Sequence, residues 1–197
     1  MSTIKKDRTR GRPRRFEPDA AVEMARKLFH ERGFDAVGVA DVTEALGIRP
    51  PSFYAAFGSK FGLYERVLER YAADGAVPFA RLLRRDRPVA EGLEAVLEEA
   101  ARRYAADRDA TGCLVVEGMR CRDAQAREAA CAYNIEAEAA IRAFVAVRHP
   151  EAADRITDFV ATTMFGLSAK ARNGHGLDQL LATARLAGAA VRQALAE

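Results

Sequence analysis

Val37-Gly38-Val39-Ala40-Asp41-Val42-Thr43-Glu44-Ala45-Leu46-Gly47-Ile48-Arg49-Pro50-Pro51-Ser52-Phe53-Tyr54-Ala55-Ala56-Phe57 is the stretch on which the fold turns. Val39, Val42 and Leu46 fall on one face of a short helix. Gly47 supplies a residue that can take φ > 0, and Ile48 closes the corner. Phe53 and Phe57, four residues apart, bury a second short helix against the first. Two short helices joined by a three- or four-residue turn containing Gly form a helix-turn-helix. The second helix of such a pair can lie in a DNA major groove about 12 Å wide.

The exposed face of that second helix presents Arg49, Pro51, Ser52, Tyr54 and Ala55. Arg reads guanine edges bidentately, Ser bonds bases or phosphate, and the Tyr hydroxyl suits a phosphate oxygen. Phe53 is expected in the core, while Tyr54 lies off the Phe53/Phe57 face and needs another role. Lys60 opens the following helix, where its charge adds to the positive helix end as a phosphate contact. Upstream, residues 1–15 carry seven Lys or Arg against Asp7 alone, a net +6 within a chain whose total is +3. A cationic arm on a slightly acidic body is the asymmetry of a chain that meets a polyanion at one end. Arg12 and Arg14 in this arm can follow the phosphate backbone or enter a minor groove.

Working outward, the chain reads as helices. Phe16, Ala20, Met24 and Leu28 recur every four residues, with Ala21, Ala25 and Phe29 widening the stripe, Pro18 near the first turn and Gly33 as the stop. After Ser59, a candidate cap, a helix carries Leu63, Val67, Leu68 and Tyr71 and weakens near Gly75 and Pro78. Further helices are expected from Pro88 to Tyr104, from about Asp123 to Arg148, from Pro150 to Arg172, and from Leu177 to Leu195. The chain is 197 residues long with 41 Ala, 7 Pro and no Trp, a composition that favours helices over strands. The expectation is an all-α protein of about nine helices. It divides into a basic arm (1–15), a three-helix DNA-binding domain containing the helix-turn-helix (16–74), and a further helical domain (75–197).

Composition also excludes. Hydrophobic residues make up 49% and charged residues 30%, as in globular chains. No window reaches the ~18 apolar residues of a membrane span, and no apolar segment of a secretory signal follows the charged N-terminus. Cys113, Cys121 and Cys131 are odd in number and lack C-x-x-C spacing. His30, His149 and His175 are not at metal-motif spacing. Neither a disulfide framework, a metal site nor a cofactor is implied, and a reducing cytoplasm is the expected compartment.

Gly11-Arg12-Pro13-Arg14, Ala25-Arg26-Lys27-Leu28-Phe29, Glu31-Arg32-Gly33-Phe34 and Ser52-Phe53-Tyr54-Ala55-Ala56-Phe57-Gly58-Ser59-Lys60 stand at fixed spacing. With them, the stretch from Gly11 to about Tyr71 resembles the DNA-binding domain of the TetR family of bacterial transcriptional repressors. The resemblance implies a homodimer on a palindromic double-stranded DNA operator, and a helical ligand-binding and dimerisation domain from about Gly75 onward. It implies DNA contacts from Arg12, Arg14, Gly38, Arg49, Pro50, Pro51, Ser52, Phe53, Tyr54 and Lys60. Two departures stand out. Val37 and Gly38 replace the usual Thr or Ser at the start of the first short helix, which removes a hydroxyl cap worth on the order of 1 kcal/mol. Pro51 disfavours the α region for Pro50, so the recognition helix is expected to start near Pro51, with Arg49 outside it holding a phosphate.

In the body, residues 150–195 form two helices with broad apolar faces and small residues, suited to a four-helix bundle between two chains. Phe79, Leu83, Leu97, Tyr104, Cys113, Val116, Met119, Tyr133 and Phe165 are candidates for the lining of a pocket for an unidentified small-molecule effector. Were Thr111 to cap a helix beginning at Gly112, Cys113 would sit at its second position, where the helix dipole favours thiolate and a thiol-reactive effector could act. A buried Cys acting as a small hydrophobe is the alternative. Two other functions stay open at this level. One is an all-α enzyme acting through Cys113, although no base or acid is placed recognisably beside it. The other is a protein binding DNA without sequence preference. A non-enzymatic, ligand-responsive repressor is the leading expectation.

Overall fold

A computed structural model describes residues 17–196. The basic arm, with Arg12 and Arg14, lies outside these residues, as does Phe16. All regular structure described is helical, as expected: α1 (Pro18–Arg32), α2 (Val39–Leu46), α3 (Pro50–Phe57), α4 (Lys60–Arg70), α5 (Phe79–Leu82), α6 (Val89–Tyr104), α7 (Leu114–Gly118), α8 (Ala124–Ala146), α9 (Ala153–Arg172) and α10 (Leu177–Ala194). The four-residue α5 and five-residue α7 are too short to show a periodic signal, and α5 in particular is not among the expected elements. A π-helical turn, Tyr71–Gly75, continues α4, and a 3₁₀ turn, Pro150–Ala152, leads into α9. Pro150 thus opens the turn before the helix rather than the helix itself.

Local chemistry sets most boundaries. Pro18 occupies the first turn of α1, where a missing N–H costs nothing. Ser59 Oγ accepts from the Gly62 N–H and Asp123 accepts from the Ala126 N–H, capping α4 and α8. The buried stripe of α1 agrees with the expected face at Ala21, Ala25 and Phe29 and departs from it at Met24. Ala21, Val22, Ala25 and Phe29 are buried, whereas Met24 is 44% exposed. The helix is therefore rotated by about one residue, which brings Phe29 against Phe34 and Tyr64 at ring-centroid distances of 5.7 and 5.3 Å.

Two apolar clusters hold the chain. The first joins α6, the second half of α8, α9 and α10 through Leu93, Leu97, Ile141, Val160, Leu180 and Val191 among others. The second joins α1 to α4 through Phe29, Val42, Phe53, Phe57, Leu63 and Leu68, and it also takes in Leu114, Val115, Cys121 and Ala126. The core of the N-terminal helices therefore includes α7 and the start of α8, across the boundary expected near residue 75. Gly118 shows how close this packing is: a Cβ there would run into the Tyr64 hydroxyl.

Candidate nucleic-acid interface and effector cavity

The turn between α2 and α3 is built as its residues dictate. Gly47 ends α2 in the left-handed region at φ 63°, ψ 33°. Ile48 is half-buried against the core beneath. Arg49 follows in an extended conformation as the residue before α3, and its carbonyl accepts from the Ser52 and Phe53 N–H groups. The helix begins at Pro50, one residue earlier than expected. Prolines at its first two positions fit there because neither backbone nitrogen would meet an acceptor. Burial of Phe53 and Phe57 then fixes the helix phase.

That phase leaves Arg49, Pro50, Pro51, Ser52, Tyr54 and Ala55 exposed along one side. Tyr54 is 52% exposed and packs edge-on to Phe53, at 5.3 Å between ring centroids. Phe53 is fully buried and supports this face from beneath. Lys60 is differently placed. Its ammonium donates to the Phe34 carbonyl at 3.0 Å and sits 3.9 Å from the Phe34 ring centroid. It ties the start of α4 to the loop after α1.

The missing hydroxyl cap of α2 has a substitute. Asp41, at the third helical position, accepts from the Gly38 N–H at 2.7 Å, while Arg32 donates to its other oxygen at 2.9 Å. The Gly38 N–H, followed by Arg32, holds the Asp41 carboxyl below its ordinary range. Sequence reasoning missed this arrangement, although Asp three residues after Gly38 is the acidic half of a capping box.

A cavity of about 230 Å³ lies among α5, α6, α8, α9 and the π turn after α4. Of the expected lining residues, Phe79, Tyr104, Cys113, Val116, Tyr133 and Phe165 do line it. Leu83, Leu97 and Met119 do not. Leu97 is wholly buried in the interior of α6, Leu83 packs on the same cluster, and Met119 packs on the N-terminal core. Tyr71, Asn134 and Met164 are among the wall residues beyond that expectation. Tyr71 carries a helical-stripe signal indistinguishable from core; Asn134, an amide in the middle of an Ala-rich helix, is the cue the sequence offers.

Cys113 is not at the second position of a helix. It is the extended residue preceding α7, its N–H donates to Ser168 Oγ at 2.9 Å, and the helix that follows is little more than one turn long. The helix position expected for Cys113 is therefore not formed. The Sγ instead faces two buried hydroxyls. Tyr71 donates to it at 3.6 Å, and Tyr104 is its other tyrosine neighbour. Burial pushes both tyrosines well above their ordinary pKa, so both stay protonated donors.

Backbone contacts link this cavity to the N-terminal helices. Arg172, in the last turn of α9, donates to the carbonyls of His30 and Thr111, each at 3.0 Å. The His30 ring donates to the Gly112 carbonyl at 3.2 Å, and burial pushes its pKa down to about 4, leaving it neutral. Asp35, in the loop after α1, accepts from the Arg122 N–H at 2.7 Å just before α8. Among the described residues no group of His, Cys, Asp and Glu is placed to hold a metal ion, and no helix is long and apolar enough to cross a membrane.

Known proteins share this fold. Residues 21–67 match the family model of bacterial regulatory proteins of the tetR family. The chain is 54% identical over 197 residues to the HTH-type transcriptional repressor BdcR of Escherichia coli (strain K12), covering both chains completely. It is 28% identical to the repressor ComR of the same organism, covering 94% of this chain and 92% of that one. Among solved structures, a cysteine mutant of the regulator CifR complexed with 26-base-pair operator DNA superposes with a TM-score of 0.82 at 32% identity, over 91% of this chain and 99% of that one. FadR of Bacillus subtilis, solved with stearoyl-CoA, shares the fold at a TM-score of 0.69 and 12% identity, over 87% of this chain and 96% of that one. The chain belongs to the TetR family of bacterial transcriptional regulators.

Proposed function

We propose that this regulator is a repressor that binds a palindromic operator as a homodimer and leaves it when a small molecule fills the cavity. The exposed side of α3, with Arg49, Ser52 and Tyr54 standing over the buried Phe53 and Phe57, is the observation that carries the reading. Ser52 and Tyr54 enter the major groove side, and Arg49, extended ahead of the helix, takes a phosphate. Arg12 and Arg14 of the basic arm add backbone or minor-groove contacts. Lys60 acts through position, holding α4 against the α1 loop, rather than as a free phosphate ligand. The CifR complex with operator DNA supports the DNA-binding part of the reading.

Residues 17–74 serve as the DNA-binding unit, with α7 packed beneath them, and residues 75–196 carry the dimer contacts and most of the cavity, to which Tyr71 and Ala72 also contribute. Phe159 on α9 and Leu186 on α10 remain 41% and 74% exposed and supply apolar surface for a second copy within the 150–195 region. A dimer places two α3 helices against half-sites about 34–36 Å apart, or a multiple of that. The effector acts by favouring a conformer in which that spacing is wrong, and it shifts the equilibrium only by its differential affinity for the two conformers. As a regulator of DNA the protein works in the cytoplasm and has no catalytic role; Cys113 is flanked by two protonated hydroxyls rather than by a base. Binding of the purified full-length protein to the promoter region of its own gene tests the reading. Retarded migration that disappears with the paired Ser52→Ala and Tyr54→Phe changes supports it, and unchanged binding by that variant contradicts it.

A further inference from the structure

The cavity's lining bears on the chemical class of the effector, an inference that rests on reading the cavity as the effector site. Size comes first. An apolar cavity of about 150 Å³ takes one benzene, so 230 Å³ takes a compact molecule of on the order of ten non-hydrogen atoms. Charge comes next. Among the described residues neither Lys nor Arg lines the cavity, and the charged side chains on its wall are Glu136 and Glu138 of α8. A buried carboxylate or phosphate without a cation is costly, and here it would also meet like charge. Nor is the wall built for a cation. Glu136 is exposed, and Glu138 already accepts from the Asn134 amide at 2.8 Å.

The most deeply buried polar feature of the interior is the pair of hydroxyls on Tyr71 and Tyr104. Tyr71 and Tyr104 are 3% and 2% exposed; the Tyr71 hydroxyl donates to the Cys113 sulfur at 3.6 Å, and the Tyr104 hydroxyl is a neighbour of the same sulfur. Sulfur is a weak acceptor, so two buried donors are served poorly by it. A neutral oxygen with two lone pairs placed between them would accept both hydrogen bonds. We propose that the effector is a small uncharged carbonyl compound with an apolar body, its oxygen received by the Tyr71 and Tyr104 hydroxyls beside Cys113. Tyr71 gives this contact a consequence. It opens the π turn that continues α4, and its ring lies edge-on to His30 at the end of α1, at 5.8 Å. Drawing its hydroxyl toward a ligand acts directly on two helices of the DNA-binding unit.

Four probes of similar shape test the class by titration calorimetry on the full-length protein: acetophenone, ethylbenzene, benzoate and benzylamine. Acetophenone should bind at least about tenfold tighter than the other three, the margin of a hydrogen-bonded buried oxygen. Tyr104→Phe and Tyr71→Phe should each bring acetophenone toward the ethylbenzene value while leaving ethylbenzene unchanged. Tighter binding of benzoate or benzylamine, a ketone preference that survives both Phe changes, or no binding by any probe would overturn the proposal. Should a Phe variant fail to fold, the four-probe comparison on the unmodified protein decides alone. Operator affinity is measured separately. Acetophenone that binds as expected yet leaves operator affinity unchanged would keep the ligand class and remove the effector reading.

Discussion

Arg172 Nη1 lies 3.0 Å from the backbone carbonyl of His30, so the last turn of α9 supplies the cation that caps the C-terminal end of α1. The same nitrogen bonds the Thr111 carbonyl, and Nε lies 3.4 Å from Glu117. Cavity wall, α9 and α1 therefore meet at one guanidinium, and the two residues after Thr111 are Gly112, which His30 bonds, and Cys113, which lines the cavity. Motion of α9 about a ligand cannot leave α1 unaffected.

Arg172→Ala removes these bonds and leaves two half-buried carbonyls without that partner. We expect a loss of about 1.5–3 kcal/mol in stability, the range for hydrogen bonds to a charged group. Arg172→Lys should recover only part of it, since one ammonium cannot span three elements. Urea unfolding of the three proteins checks this, and equal midpoints would show that Arg172 does not hold these elements together.

His30 should make stability fall in mild acid. Its pKa drops from 6.5 to about 4 on folding, chiefly through burial, so between these values the unfolded chain binds the extra proton. The contribution is complete above pH 6.5, declines as pH falls through the window, and levels off below about 4. The full cost is on the order of 3 kcal/mol. His30→Gln keeps a donor for the Gly112 carbonyl and should flatten this part of the profile. A wild-type melting temperature independent of pH across the window would contradict the assignment.

Tyr54→Phe should weaken operator binding without lowering stability, because the ring is half-exposed and its contact with Phe53 does not use the hydroxyl. Arg14→Ala should weaken binding to all sequences alike and flatten its salt dependence, as loss of a phosphate contact does. Binding measured across a salt series separates the two. A Tyr54→Phe protein that melts early would return Tyr54 to the core.

Leu186→Arg should produce a folded monomer if α9 and α10 form the dimer contact, since Leu186 is largely exposed in the single chain. Deleting α10 would be a poorer test, because Leu180, Ala184 and Val191 are buried against the chain's own core. Sedimentation of the variant at micromolar concentration gives the answer, and an intact dimer would move the interface elsewhere.

How much of this is legible in the sequence follows from the range of each interaction. Helices α2 and α3 are legible because Gly47, Phe53 and Phe57 act within a few residues of one another. The face of α1 is ambiguous by one residue, because Ala20, Met24 and Leu28 fit a helical stripe as well as Ala21, Ala25 and Phe29 do. Only the packing of Phe29 on Phe34 and Tyr64 distinguishes the two. The cavity is half legible. Cys113 and Tyr104 are nine residues apart and Tyr71 is more than thirty away, and no periodicity records that their polar atoms converge. Arg172 and His30 are separated by 142 positions, beyond the reach of any local pattern.

The expected target of α3 is a specific palindrome. Selection of genomic fragments by the purified full-length protein at physiological salt, followed by sequencing, tests it most directly. The expected result is enrichment of fragments sharing one inverted repeat, with half-sites a helical turn or a multiple apart, and loss of that enrichment with Tyr54→Phe and Ser52→Ala together. Recovery of fragments that share no sequence, retained only at low salt, would contradict it and leave a protein that binds the DNA backbone alone.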